Sequence, residues 1–205
     1  ASRQTWKTHE VARTLEIEVQ TSQRISSMNS RTTMVVLNLI GGVAVLGSYA
    51  WGLLSFPETR GQIWGGIPDD MRSLYTTSML TAAGGYFFFT GFLLFQVDPD
   101  ELEKQGPFRF ALINGSYLLV LAPSAFWLPL TFAMISTPGL FLWVMIRLVL
   151  TLTAIGSLGL LYAVLRLRRN GPPLFFALAL LGILAFNLQT TVLDALVWTA
   201  YYPWP

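Results

Sequence analysis

Trp143-Val-Met-Ile-Arg147-Leu-Val-Leu150 and Thr190-Thr-Val-Leu-Asp194-Ala-Leu-Val-Trp198 are two apolar runs, each interrupted by a single charge. They are joined by the basic turn Arg166-Leu-Arg-Arg-Asn-Gly-Pro-Pro173. Counted from Asn170, Arg147 lies about 23 residues back and Asp194 about 24 forward, so at about 1.5 Å per residue antiparallel helices would carry them to one depth. A charge inside a bilayer costs about 2.5–3.5 kcal/mol on insertion scales and is expected to face the bundle interior beside a partner. The spacing predicts an intramembrane ion pair between Arg147 and Asp194.

Working outward from this pair, composition agrees with a membrane setting. The chain has 205 residues, of which 53% are hydrophobic and 12% charged. A soluble domain usually carries about 25% charged residues. The charges cluster and leave long uncharged runs, which decides for an integral membrane protein over a large soluble core. With no cysteine, disulfides, thiolate metal sites and a cysteine nucleophile are excluded. The one histidine, His9, lies in a polar tail and speaks against an intramembrane haem or chlorophyll held by imidazole. No cofactor is specified by any motif. Ala1 fits either loss of an initiator methionine or cleavage of a longer targeting segment.

Residues 1–31 form a polar arm in which Trp6, Val11, Leu15 and Ile17 make a weak helical stripe, suited to a surface-lying helix or a docking arm. Residues 32–205 read as one bundle of five transmembrane helices over about 33–56, 71–97, 108–135, 140–165 and 174–201. The expected fold is therefore an all-α integral membrane protein with a short N-terminal amphipathic arm. Gly41, Gly42 and Gly47 in the first span suit close helix approach. Pro57 to Asp70 is a loop rich in glycine and proline that also holds Ile63, Trp64 and Ile67, so it suits either a headgroup-level connector or a lid.

Five spans put the termini on opposite sides. Arg3, Lys7, Arg13, Arg24, Arg31, Lys104, Arg109, Arg166, Arg168 and Arg169 fall on the N-terminal side, whereas Arg60 and Arg72 fall on the other. Basic residues accumulate on the cytoplasmic side of membrane proteins. The N-terminus is expected in the cytoplasm or its organellar equivalent, in a bacterial inner membrane or an organellar membrane. The same bias makes the 166–169 cluster a topology determinant, not a nucleic-acid site.

Depth counting gathers Ser124, Trp127, Trp143, Thr190 and Trp198 around the expected pair, under the loop bearing Trp64. An aromatic concavity with a few polar groups suits a small ligand. A purely structural clamp, with the tryptophans as packing and interface anchors, suits the same residues. Catalysis finds no metal-ligand cluster, serine–histidine arrangement, phosphate-binding glycine motif or paired intramembrane carboxylates.

Trp51, Pro57, Trp64 and Leu74-Tyr75 follow one another as the span-one to span-two region does in the translocator-protein (TspO/MBR, tryptophan-rich sensory) family. Ala82-Ala83 stands at that helix's small-residue region, and Ser124-Ala-Phe-Trp127-Leu-Pro129-Leu is similar to its third span. The bundle resembles this family; the arm 1–31, the sparse tryptophan–proline spacing in the loop and the missing Asn-Trp pair in span three depart from it. The resemblance implies a tetrapyrrole, sterol, lipid or similar apolar ligand beneath the first loop, lined by Trp51, Trp64, Tyr75 and Trp127. The function expected first is nonetheless a non-catalytic accessory or assembly subunit of a larger membrane protein complex, docking membrane protein partners through its arm and glycine faces, with the ligand binder as the alternative.

Overall fold

The computed structural model describes residues 30–97, 108–167, 172–202 and 204, and the expected arm lies outside the described residues apart from Ser30 and Arg31. Five helices are long and apolar enough to cross a membrane: α1 Ser30–Ser55, α2 Asp69–Phe95, α3 Phe108–Ser136, α4 Leu140–Arg166 and α5 Pro173–Tyr201. Among the described residues there is no strand. In hydrocarbon every backbone N–H and C=O must be satisfied within the chain, which long apolar segments can do only as helices here. The protein is an all-α, integral membrane, five-helix bundle.

Local chemistry explains where the spans begin. Asp69 and Asp70 open α2 after Pro68, where negative charge meets the positive end of the helix dipole. Asp69 also pairs with Arg72 at 2.8 Å, one turn on. Pro173 occupies the first turn of α5, where its missing N–H has no partner to lose. In α3, Pro123 and Pro129 remove two ladder donors. Ser124, Thr131 and Ser136 bond back to the carbonyls of Val120, Trp127 and Phe132 at 2.6, 2.8 and 2.9 Å.

Packing is pairwise, with α3 against α4 and α2 against α5 as the most extensive partnerships. Gly85 and Gly182 bring α2 and α5 together backbone on backbone; a Cβ on Gly85 would lie 2.5 Å from the Gly182 carbonyl oxygen. Without a solvent-driven hydrophobic force between helices in lipid, such close van der Waals contact is a main source of association. The apolar core falls into two clusters. One is centred on Phe89, Tyr117, Leu160 and Ile183. The other, toward the end covered by the 56–68 loop, is centred on Ile67, Tyr75, Ile146 and Trp198.

Helix α1 is the exception. Only 6% of its apolar window is buried within the fold, against 33% to 44% for the other four. It rests on α3 where Gly41 meets Leu121 and Gly52 meets Leu128 and Phe132. Gly42 and Gly47, expected to serve the same approach, have nothing within 4 Å of where a Cβ would stand.

Candidate functional site

The expected ion pair is not formed. Arg147 donates from one terminal nitrogen to the Thr199 carbonyl at 2.7 Å, and its guanidinium carbon stands 3.3 Å from the Trp143 ring centroid. Asp194 instead accepts from Gln189 Nε2 at 2.8 Å. Among the described residues the salt bridge between Asp69 and Arg72 is the only one.

The reason lies in α5, which is α-helical to Asn187 and then π-helical over Leu188–Trp198. Residues five apart stack along a π-helix, whereas three or four apart stack along an α-helix. Gln189 and Asp194 are five apart, so the amide reaches the carboxyl within its own helix. Regular α-helical counting therefore misplaced the face that Asp194 occupies. Arg147 has a better-placed acceptor, because the last carbonyls of a helix lack intrahelical partners and form the negative end of its dipole. Three of those carbonyls are satisfied from three directions. Trp198 O accepts from Tyr202 N–H at 2.9 Å and Tyr201 O from Gly66 N–H at 3.1 Å, with Arg147 on Thr199 O between them. Burial pushes the neighbouring Tyr202 phenol above its ordinary pKa, and the Arg147 guanidinium opposes that rise.

The same carbonyls hold the first loop in place. Gly65 adopts φ +57°, a conformation that favours glycine, and a Cβ there would stand 2.7 Å from Tyr202 Cδ2. At Gly66 a Cβ would stand 2.3 Å from Tyr201 O, so neither position tolerates a side chain without displacement. Trp198 Nε1 donates to Ile63 O at 3.1 Å, and Ile67 is buried beneath the loop. The loop, with a short 3-10 turn at Arg60–Trp64, is docked on the end of α5.

Beneath it aromatic rings meet from four helices and the loop. Trp127 stands 5.8 Å edge-on from Trp198 and 5.7 Å from Tyr49, Trp198 stacks on Tyr202 at 4.3 Å, and Trp64 meets Tyr75 edge-on at 6.3 Å. Tyr75 donates to the π-helical carbonyl of Leu193 at 2.9 Å. Two polar atoms in this neighbourhood are buried and unpartnered: Trp127 Nε1 and Gln189 Oε1.

No family model, curated protein or solved structure matches this chain.

Of the other residues expected at the site, three stand elsewhere. Trp51 is 49% exposed and packs edge-on against Phe56 on the outside of the bundle. Thr190 donates to Ser157 Oγ at 2.8 Å, within a buried network that Asn187 completes through Ser157 O at 3.1 Å. Ser124 bonds back along α3 and approaches Thr153 at 3.4 Å, in the same mid-bundle belt. Trp143 lies under Arg147 and meets Trp204 at 4.5 Å, while its Nε1 is buried and unpartnered. Asn187 bonds between helices as a polar residue in a span is expected to, but Gln189 bonds to its own helix. Tyr49, absent from the residues expected at the site, also packs here, against Trp127.

Proposed function

We propose that this protein is a non-catalytic membrane protein that binds an apolar small ligand beneath its first loop. The observation that carries the reading is the coincidence, under one docked loop, of clustered aromatic rings with the unpartnered Trp127 Nε1, and with a second buried unpartnered atom, Gln189 Oε1, beside Asp194 on α5. A buried donor or acceptor without a partner costs about 1–3 kcal/mol, a cost that a ligand with complementary groups removes. The loop supplies the cover expected of such a site, held by Gly66 and Trp198 at its two contacts with α5. This agrees with the ligand class that the translocator-like motif order implies, with Trp64, Tyr75 and Trp127 retained as lining and Trp51 set aside. The N-terminus faces the cytoplasm or its equivalent, on the strength of the basic bias in the sequence.

A direct test purifies the protein in lipid nanodiscs and extracts it for mass spectrometry of small molecules. The expected result is an apolar compound enriched over empty nanodiscs and lost in Trp127→Leu. Recovery of bulk lipid alone, at the ratio in empty discs, would count against the reading.

The accessory-subunit reading is favoured by one separate observation, the sparse burial of α1. A helix that leaves Gly42 and Gly47 open has a face on which another span could rest. Crosslinking from Val43, exposed on α1, decides it: a discrete polypeptide adduct supports a subunit, and lipid adducts alone oppose it.

A further inference from the structure

We infer that the ligand of this site is an organic cation, an apolar molecule whose protonated amine sits between Asp194 and Gln189. The inference rests on the ligand-binding reading above and adds the charge and donor character of what is bound. Its starting point is the separation of the two charges that sequence pairs. Arg147 is committed to Thr199 O and to the Trp143 face, and among the described residues no basic group lies within salt-bridge distance of Asp194. A carboxylate in an apolar span without a countercharge is costly, and a bound cation supplies one.

Hydrogen-bond chemistry sharpens the claim. A carboxylate only accepts, so the Gln189 amide must present its NH2 to Asp194 and leave its carbonyl oxygen free. That Gln189 Oε1 is the buried atom without a partner, in a side chain only 5% exposed. Beside it stands the Asp194 carboxyl, whose Oδ1 accepts from the same Gln189 amide. Tyr75 cannot serve, because its hydroxyl hydrogen goes to Leu193 O. The unmet demand beside Asp194 is thus for donors, and an ammonium group offers up to three. The surrounding rings suit the same guest. Tyr75 bonds to Leu193 O, the residue before Asp194, and Trp127 packs on Tyr49. Aromatic faces attract cations, more strongly when the contact is desolvated. Within the apolar ligands considered above, a sterol hydroxyl offers one donor where an ammonium offers up to three, and an anionic tetrapyrrole would be repelled.

The experiment compares three ligands with one tail and different heads. Decylamine, decanol and decanoic acid are titrated calorimetrically into the full-length protein in nanodiscs of zwitterionic lipid, with heats for empty nanodiscs subtracted. Decylamine should bind saturably and at least tenfold more tightly than the other two, and Asp194→Asn should erase that preference. Equal binding of amine and alcohol by the wild-type protein overturns the cation inference while leaving an apolar site in place. A preference for the amine that survives Asp194→Asn overturns it as well, as does no saturable heat with decylamine. The head-group comparison on the unmodified protein stands even if the variant fails to fold. Small-molecule recovery from nanodiscs tests the underlying site independently.

Discussion

Replacing Arg147 with methionine removes two interactions at once, and both can be sized from the structure. The bond to Thr199 O at 2.7 Å involves a charged donor, a class of hydrogen bond that contributes about 1.5–3 kcal/mol. The guanidinium over Trp143 at 3.3 Å adds about 0.5–1 kcal/mol at an exposed site and about 2 when desolvated. Arg147, on α4, is half-buried beside the end of α5, and the methionine keeps most of its apolar contact. The expected loss is therefore about 2–5 kcal/mol, the range set by these two terms. Asp194 shares no hydrogen-bond partner with Arg147, so Arg147→Met and Asp194→Asn should add to within about 0.5 kcal/mol in the double variant. Equilibrium unfolding in mixed micelles, followed by tryptophan fluorescence, gives all four corners of this cycle. A buried ion pair predicts something else, with the double variant recovering much of the single losses because neither charge is left unpaired. A coupling of about 1.5 kcal/mol or more would mean that the two charges meet, and the capping role given to Arg147 would fall.

The loop makes a second prediction. Gly66→Ala drives a Cβ to 2.3 Å from Tyr201 O and should undock the loop, seen as faster limited proteolysis near Arg60, whereas Gly61→Ala, with nothing within 4 Å, should leave the rate unchanged. At the crossing of α2 and α5, Gly85→Ala should lower stability by about 1–3 kcal/mol, the usual cost of overpacking. Gly84→Ala beside it meets nothing within 4 Å and should be neutral in the same unfolding assay. For topology, a cysteine at Gln62 should react with an impermeant maleimide from outside the cell and one at Gln105 should not; the reverse pattern would invert the orientation.

The five spans were legible because membrane thickness imposes them: uncharged runs on the scale of the bilayer leave the chain few alternatives. The polar belt was partly legible too, since Asn187 bonds across to Ser157 as a polar residue in a span is expected to. The pairing of charges was not. Depth along α5 can be counted from sequence, but azimuth depends on the helix type, and no residue in Leu188–Trp198 announces a π-helix. A change from four-residue to five-residue stacking joins Asp194 to Gln189 and leaves Arg147 to find a carbonyl. Trp51 failed for a related reason: periodicity places it near the loop-covered end of its span, but the outward face of α1 is set by Gly41 and Gly52 against α3. The docking of the loop was not legible, because the surface it rests on, the end of α5, lies more than a hundred residues away in sequence.

That distance has a consequence for biogenesis. The segment 56–68 emerges from the translocation machinery after α1, when Trp198 and Tyr201 have not yet been synthesised. Its anchors, Trp198 Nε1 on Ile63 O and Gly66 N on Tyr201 O, can form only once the fifth helix has been threaded. Closure of the first loop thus has to wait for the fifth helix, and it reports that this helix is in place. A ribosome stalled before residue 198 would release a protein whose first four spans are inserted but whose loop is unlatched. To a membrane protease, that loop would distinguish a chain lacking its fifth span from one that has it.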